Sequence, residues 1–455
     1  MPVGDGDGFF SKHSKLIKIG ILLLAVLTIL FIFISLIMPK FKNPKNELVT
    51  LTYWGLWEDQ SVMAPVIAGF EKENPNIKIN YLVQEPIEYR DKLSIRIPNG
   101  NGPDIFRFHN TWYPMFKNVL LPLPKETIER KEFEDNYYSV AQDDLIKNGA
   151  IYGIPLEIDT LVLFINTQIF DSASQDLGSE ILAPITWQDF IDSSQALTKR
   201  NEEGAINIAG AAIGTFENVN HAPDILSLLF AQNGVDTNDI GVSGSESRVS
   251  DALRFYTNFA LLENNVWDQT LENSTKAFSQ GKLAMYFGYA RDYSTIKSLS
   301  PNLSVKLIPV PQLLSEKKAN IASYWAEGVS SKSLHQKEAL LFMKYLAKPE
   351  TQEEIHKEAS KTKPFGKPYG NKNLADKLKG SEEFVFVEQA SNAVSSPFVD
   401  ETYDNGLNDK LNSHLKDVIN SILSGESEES AAGTLFQGYS EVIQEYESGP
   451  ESTDD

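Results

Sequence analysis

Cysteine is absent from all 455 residues, which excludes a disulfide framework and any cysteine-ligated metal centre. Positive charge is scarce beside negative: 41 Lys and Arg against 62 Asp and Glu leave a net charge of −21. No basic surface is available to neutralise phosphates, so nucleic acid is not expected as a partner. Only six histidines occur, His13, His109, His221, His335, His356 and His414, and none recurs at i, i+4 on one helix as a zinc pair would. A Gly-rich phosphate loop, an HExxH helix and a GxSxG elbow are missing as well. Asp5-Gly-Asp-Gly8 hints at calcium but lacks the remaining ligands of a calcium loop. No catalytic residue, metal or cofactor is therefore expected. Glycan hydrolysis stays open, because 62 acids produce carboxylate pairs by chance.

What the chain does have is length, too much for one core, so two or more lobes are expected. With 42% hydrophobic and 23% charged residues the composition is that of a globular protein. Residues 19–38 form a nearly unbroken apolar run, long enough as a helix to span roughly 30 Å, one bilayer core. A cleavable signal peptide has an apolar region of only about 7–15 residues and a small-residue cleavage site, whereas the exit here reads Ser35-Leu-Ile-Met-Pro-Lys40. An uncleaved transmembrane anchor is expected. Lys12, Lys15 and Lys18 precede the run and Lys40, Lys42 and Lys45 follow it, so loop charge does not orient it.

After a Lys/Asn/Pro linker at 39–48, residues 49–54 alternate as a strand, 59–72 place Val62, Val66 and Phe70 on one helical face, and 77–83 alternate again. The helix should stop at Asn74-Pro75. Strand, helix and strand in so short a stretch predict a βαβ unit and a parallel sheet. Residues 149–170 (GAIYGIPLEIDTLVLFINTQIF) are central. Asn148-Gly149 signals a hairpin turn, and 160–165 is apolar enough for a strand buried on both faces. Glu157 and Asp159 interrupt this run, so 156–159 either surfaces between two cores or forms a solvated loop in one. Thr186-Trp-Gln-Asp189 reads as a capping box before a helix to Arg200. Strands are expected at 206–213 and 303–311, helices at 336–346, 407–423 and 430–446, and a disordered acidic tail at 447–455.

Several short motifs follow one another along the chain: Phe70-Glu-Lys-Glu-Asn-Pro75, Gly102-Pro-Asp104, Tyr152-Gly-Ile-Pro155, Thr186-Trp187, Phe278-Ser-Gln-Gly281 with Ala284-Met285, and Trp325-Ala-Glu-Gly328 before Lys337-Glu338-Ala339. In this order the chain, from 49 to 446, resembles the bacterial extracellular solute-binding proteins of family 1, the maltose-binding-like receptors of ABC importers. The resemblance implies an α/β, two-lobed periplasmic-binding-protein-like (type II) fold with an interlobe hinge, here preceded by one N-terminal transmembrane helix. The implied lobes are 49–155 plus 329–365 and 160–324 plus 370–446, with crossings near 155–160, 324–329 and 365–370. It also implies a monomer whose binding part lies outside the membrane, 1–18 being cytoplasmic, and ABC permease subunits as partners. Many relatives carry a lipid on a cysteine; with none here, the helix would substitute.

A sugar receptor needs aromatic faces for C–H stacking and charged or amide groups for hydroxyls, set on loops at the carboxyl ends of strands. Trp54, Trp57 and Glu58 end the first strand; Asn110, Trp112 and Tyr113 follow the strand begun by Asp104. Glu157 and Asp159 lie at one crossing, Trp325 and Glu327 at another, and Tyr289 and Arg291 follow the strand holding Met285. Tyr403 is added because relatives place a stacking ring before the C-terminal helices. The ligand-binding set expected is thus Trp54, Trp57, Glu58, Asn110, Trp112, Glu157, Asp159, Tyr289, Arg291, Trp325, Glu327 and Tyr403. Competing structural readings exist: Trp54 and Trp112 as lobe core, and Glu157 and Glu327 as solvated hinge charges. Trp187, Tyr286 and Asp104 are read as structural. A polyamine or other cationic solute is the alternative ligand, suited to the net charge and to Trp57-Glu58 and Trp325 with Glu327; Arg291 counts against it.

Overall fold

The computed structural model describes residues 8–37, 48–241, 244–261, 263, 265–314, 318–364, 366–400, 402 and 406–448. The expected linker at 39–48 (apart from Leu48), most of the tail at 447–455, and Tyr403 lie outside the described residues.

The first element, α1 (Gly8–Ile37), is one 30-residue helix. Its described side chains, at 18–33, are exposed and cover less than the roughly 20 residues a bilayer takes. Among the described residues no helix is long and apolar enough to cross a membrane.

Ten strands then build two five-stranded sheets: β1 (Val49–Gly55), β2 (Ile77–Val83), β3 (Ile105–His109), β4 (Ile154–Pro155), β5 (Val162–Asn166), β6 (Lys199–Arg200), β7 (Ile206–Ala211), β8 (Leu283–Gly288), β9 (Val305–Pro309) and β10 (Trp325–Val329). The first sheet runs β2-β1-β3-β10-β4 and the second β9-β5-β8-β7-β6. The unit β1–α2–β2, with α2 at Gln60–Glu73, has the expected parallel pairing. Helix α2 buries Val62, Met63, Val66 and Phe70 and stops at Asn74, before Pro75. The sheets are nonetheless mixed: β10 runs antiparallel to both β3 and β4, because the chain re-enters the first sheet from the far side. In the second sheet β5 is buried along its whole length between antiparallel neighbours β8 and β9, as its unbroken apolar run requires.

Local signals act where expected. Asn148 and Gly149 take φ of 52° and 81° and turn the hairpin 146–151. The Thr186 hydroxyl accepts from Asp189 N–H while the Asp189 carboxylate accepts from Thr186 N–H, closing the capping box. The helix it starts ends at Leu197 and not at Arg200, because Lys199–Arg200 pairs with β7 as β6. Each sheet has its own apolar core. Trp187, Tyr286 and Trp267 are buried in the second; the indole N–H groups of Trp187 and Trp267 donate to Gln232 and Asn218. Asp104 is structural, accepting from Thr52 N–H and from the Ser333 hydroxyl.

Three segments run side by side between the sheets. Ile158 N–H donates to Pro368 C=O, Leu161 N–H to Ile321 C=O and Ser323 N–H to Asp159 C=O. The packing is so close that a Cβ on Gly370 would lie 2.4 Å from the Pro155 carbonyl oxygen. The chain thus passes from β4 to β5 through Glu157 and Asp159 at the junction of the two units, the first of the two readings the sequence left open.

Candidate functional site

Between the two sheets, over these crossings, lies a cavity of about 260 Å³. From the first unit Trp57 and Glu58, just beyond β1, line it together with Trp325 of β10. From the second come Tyr289 and Arg291, which sit where β8 feeds helix α3 (Ala290–Leu299). Glu157, Asp159, Lys363 and Lys367 close it at the crossings.

The aromatic side is set by Trp57. Its backbone lies at φ 69°, a left-handed conformation that costs a residue with a Cβ roughly 1–2 kcal/mol and is held only where the surroundings enforce it. The indole lies edge-to-face with Trp325, 6.3 Å away. The Arg291 guanidinium stands over the same ring at 5.8 Å, so the two units meet across Trp57 in a cation–π contact. Trp57 is 37% exposed and Trp325 only 7%, which makes Trp57 the open face.

The polar side is a chain of alternating charges. Glu58 is fully buried and pairs with Arg107, Lys363 and Lys367; Lys367 also pairs with Glu157. Arg107 in turn holds Glu327 at 2.6 Å, directly across the β3–β10 register. Burial works against the Glu58 carboxylate, but Arg107 and Lys367 outweigh it and bring its pKa down to about 2. Burial outweighs the Arg107 that Glu327 shares, and the facing Glu58 adds to it, so the Glu327 pKa is raised. Asp159 accepts from Ala290 N–H at 3.0 Å at the start of α3. Burial and the neighbouring Glu157 push its pKa well above the usual carboxylate range. The other Asp159 oxygen is buried without a hydrogen-bond partner among the described residues.

Of the residues expected from sequence, the fold brings Trp57, Glu58, Glu157, Asp159, Tyr289, Arg291 and Trp325 to one cavity. It places Trp54, Asn110, Trp112 and Glu327 behind it. Trp54 is 6% exposed and packs beside Tyr89 with Arg96 over its ring. Asn110 is buried, its amide nitrogen donating to Asp144 and Ser395 and its oxygen accepting from Tyr324 N–H. Trp112 is fully buried and donates to Asp400 at 2.7 Å. Glu327 is fully buried against Arg107, so the solvated hinge charge that was its alternative reading is corrected too: an acid inside a sheet needs a cation, and Arg107 supplies it. Sequence reasoning missed Lys363 and Lys367, although the resemblance placed a crossing near 365–370. It also missed Arg107, although a charge inside the apolar run IFRFH was the available signal. His221 is buried behind the second wall, 2.9 Å from Asp292.

Residues 55–353 match the family description "Bacterial extracellular solute-binding protein". The arabinooligosaccharide-binding protein of Bacillus subtilis (strain 168) is 27% identical over 224 residues, 48% of this chain and 48% of that protein. The galactooligosaccharide-binding protein of the same organism is 21% identical over 266 residues, 56% and 59% of the two chains. The chain thus spans about half the length of the curated relatives it matches. Among solved structures, the sugar-binding protein MalE from Xanthomonas citri superposes with a TM-score of 0.68 at 19% identity, covering 87% of this chain and 98% of that one. The ABC substrate-binding protein Lmo0181 from Listeria monocytogenes, in complex with cycloalternan, gives 0.67 at 20% identity over 88% and 100%. These likenesses carry the two-lobed α/β fold. With the family's pattern covering most of the sequence and its fold reproduced around an interlobe cavity, the chain belongs to the bacterial extracellular solute-binding proteins.

Proposed function

We propose that this protein is the extracytoplasmic receptor of an ABC importer and binds a sugar in the cavity between its lobes. The observation that carries the reading is the make-up of that cavity. Trp57, beside the largely buried Trp325, offers a stacking face, and around it stand carboxylates and ammonium groups, most of them already paired with one another. Such a lining suits a neutral, hydroxyl-rich ligand, because each paired group can still give or accept a hydrogen bond while no net charge awaits a counter-ion. Relatives named for arabino- and galactooligosaccharides support the same class. A polyamine is disfavoured by Lys363, Lys367 and Arg291, which all face the cavity. No catalytic role is assigned, in keeping with a family of binding proteins.

Ligand would bridge the lobes and select the closed form by contacts made only there. The lobes are taken as 49–155 with 329–365 and 160–324 with 370–446, the stretch 374–393 touching the first core across that boundary. The receptor works as a monomer, and the helix α1, with the apolar run 19–38, serves as an uncleaved anchor that leaves the lobes outside. The mass of the protein in the membrane fraction checks the anchor.

A thermal-shift screen of the full chain against malto-, arabino- and galactooligosaccharides, their monosaccharides, spermidine and putrescine tests the ligand class. A ligand at a hundred times its Kd stabilises by about 2.7 kcal/mol, and a sugar is expected to do so. Stabilisation by a polyamine alone would overturn the sugar assignment. Small-angle scattering should show compaction with the bound sugar; an unchanged radius at saturation would remove hinge closure.

A further inference from the structure

We infer that the protein carries a second binding site, for a small organic ammonium ion, in a cleft on the side of the crossings away from the first cavity. The cleft measures about 410 Å³, within the range of about 300–1,000 Å³ typical of small-molecule sites. The segment 323–325 separates the two. Ser323 and Trp325 line the first cavity, while Tyr324, pointing the opposite way as alternation in an extended chain requires, sends its hydroxyl to Asp144 at the cleft. No residue lines both.

Asp144 is the group that calls for a cation. It lies near the end of the helix Ser139–Leu145 and is only 7% exposed. Its Oδ2 accepts from the Asn110 amide at 3.0 Å, the Tyr324 hydroxyl at 2.7 Å and the Ser395 hydroxyl. All three donors are neutral, and among the described residues Asp144 has no ion pair and Oδ1 no hydrogen bond. A buried carboxylate is ordinarily matched by a cation. Here burial outweighs the three donors and raises the Asp144 pKa to about 6. Lys147 lines the cleft but does not supply the match. Its ammonium donates to Asp143 C=O at 2.6 Å and stands 6.0 Å over the Tyr113 ring, and its pull on Asp144 is smaller than that of any of the three hydrogen bonds.

The walls suit the body of such an ion. Tyr113 from the first lobe and Tyr439 and Tyr446 from the second line the cleft, and aromatic faces attract cations. The chain already uses two of these rings so, with Lys147 over Tyr113 and Lys410 over Tyr446 at 5.4 Å. The exposed Asp143 places a second carboxylate at the cleft. An ammonium group would pair with Asp144 Oδ1 while its carbon chain lies against the tyrosines, touching both lobes. The titratable groups facing Asp144 are Asp143, Lys147, Tyr324 and the three tyrosines of the walls. Burial raises Tyr113, Tyr324 and Tyr446 further above their usual range, so these three stay neutral while Asp144 titrates.

The test is calorimetric titration of the full chain with putrescine and with spermidine. Both should bind. Because the site needs the ionised carboxylate, affinity should fall about tenfold from pH 7 to pH 5, the change in ionised fraction for a group titrating near 6. Asp144→Asn keeps an oxygen for its neighbours but no charge and, checked for folding by its melting transition, should abolish binding. Lys147→Gln, at a partly exposed residue, removes the competing cation without touching the core and should tighten binding. Failure of both amines to bind the unaltered protein overturns the site, as does an affinity that Lys147→Gln does not raise. An amine that binds Asp144→Asn unchanged occupies another place, the first cavity included, and overturns the assignment too. The sugar reading concerns the first cavity and is tested separately by the saccharides.

Discussion

Behind each wall of the cavity sits a buried cation held between two carboxylates. In the first lobe Arg107 lies between Glu58 and Glu327, and Glu58 reaches the cavity beside Trp57. In the second His221 lies between Asp224 and Asp292, at 3.4 and 2.9 Å. Asp224 accepts from the Tyr289 hydroxyl and Asp292 from the Tyr289 N–H, so this cluster fixes the wall that carries Tyr289 and Arg291. The two clusters share one plan but use different cations. A guanidinium keeps its charge at any pH a protein survives, whereas an imidazolium can lose it. Burial opposes the charge on His221, yet Asp292 and Asp224 outweigh it and raise its pKa to about 9. The cation of one wall is therefore insensitive to pH and that of the other is tied to a proton.

The largest effect is expected from removing the cation that cannot titrate. Arg107→Met would leave Glu58 and Glu327 facing each other in the first core and should cost about 3–5 kcal/mol in denaturant unfolding. Next comes the titratable cluster. His221 has a folded pKa above its unfolded one, so its contribution is complete below about pH 6.5 and fades as pH rises through about 9. At about 1.4 kcal/mol per unit this is a loss of about 3 kcal/mol across that window. The groups facing His221 are Asp224 and Asp292 with the rings of Tyr286 and Tyr289. Burial lifts both tyrosine hydroxyls further above their usual range, so they stay neutral there. Stability measured from pH 6.5 to 9.5 should fall, and His221→Gln should flatten the slope while Arg107→Met leaves it in place. The smallest effect serves as a control: Lys131→Ala removes an exposed i,i+4 pair with Asp135 and should leave the unfolding midpoint unchanged.

Local signals in the chain specified much of this. The apolar run of β5, the proline after α2, the Asn-Gly turn and the Thr186 capping box each act over a few residues, and each appears where its chemistry requires. The acids at 157 and 159 marked a break in the apolar run for the same reason, since two carboxylates do not sit inside a doubly buried strand, but the choice between a crossing and a solvated loop stayed open. The aromatics after β1 and β8 also pointed to the cavity, because residues at strand ends have few places to go.

Which of those residues face the cavity was not written locally. Trp57 and Trp54 are three positions apart, but Trp54 is a core ring inside β1 whereas Trp57 lies beyond the strand's end, on a left-handed backbone, with an open face. Arg107 meets Glu327 across 220 positions of sequence, and Lys367 meets Glu58 only because the third crossing returns beside the first strand. Helix, strand and turn preferences come from sterics and hydrogen bonds among near neighbours, so the sequence alone determines them. Charge pairing and burial depend on distances through space between remote segments, so only the tertiary structure decided them.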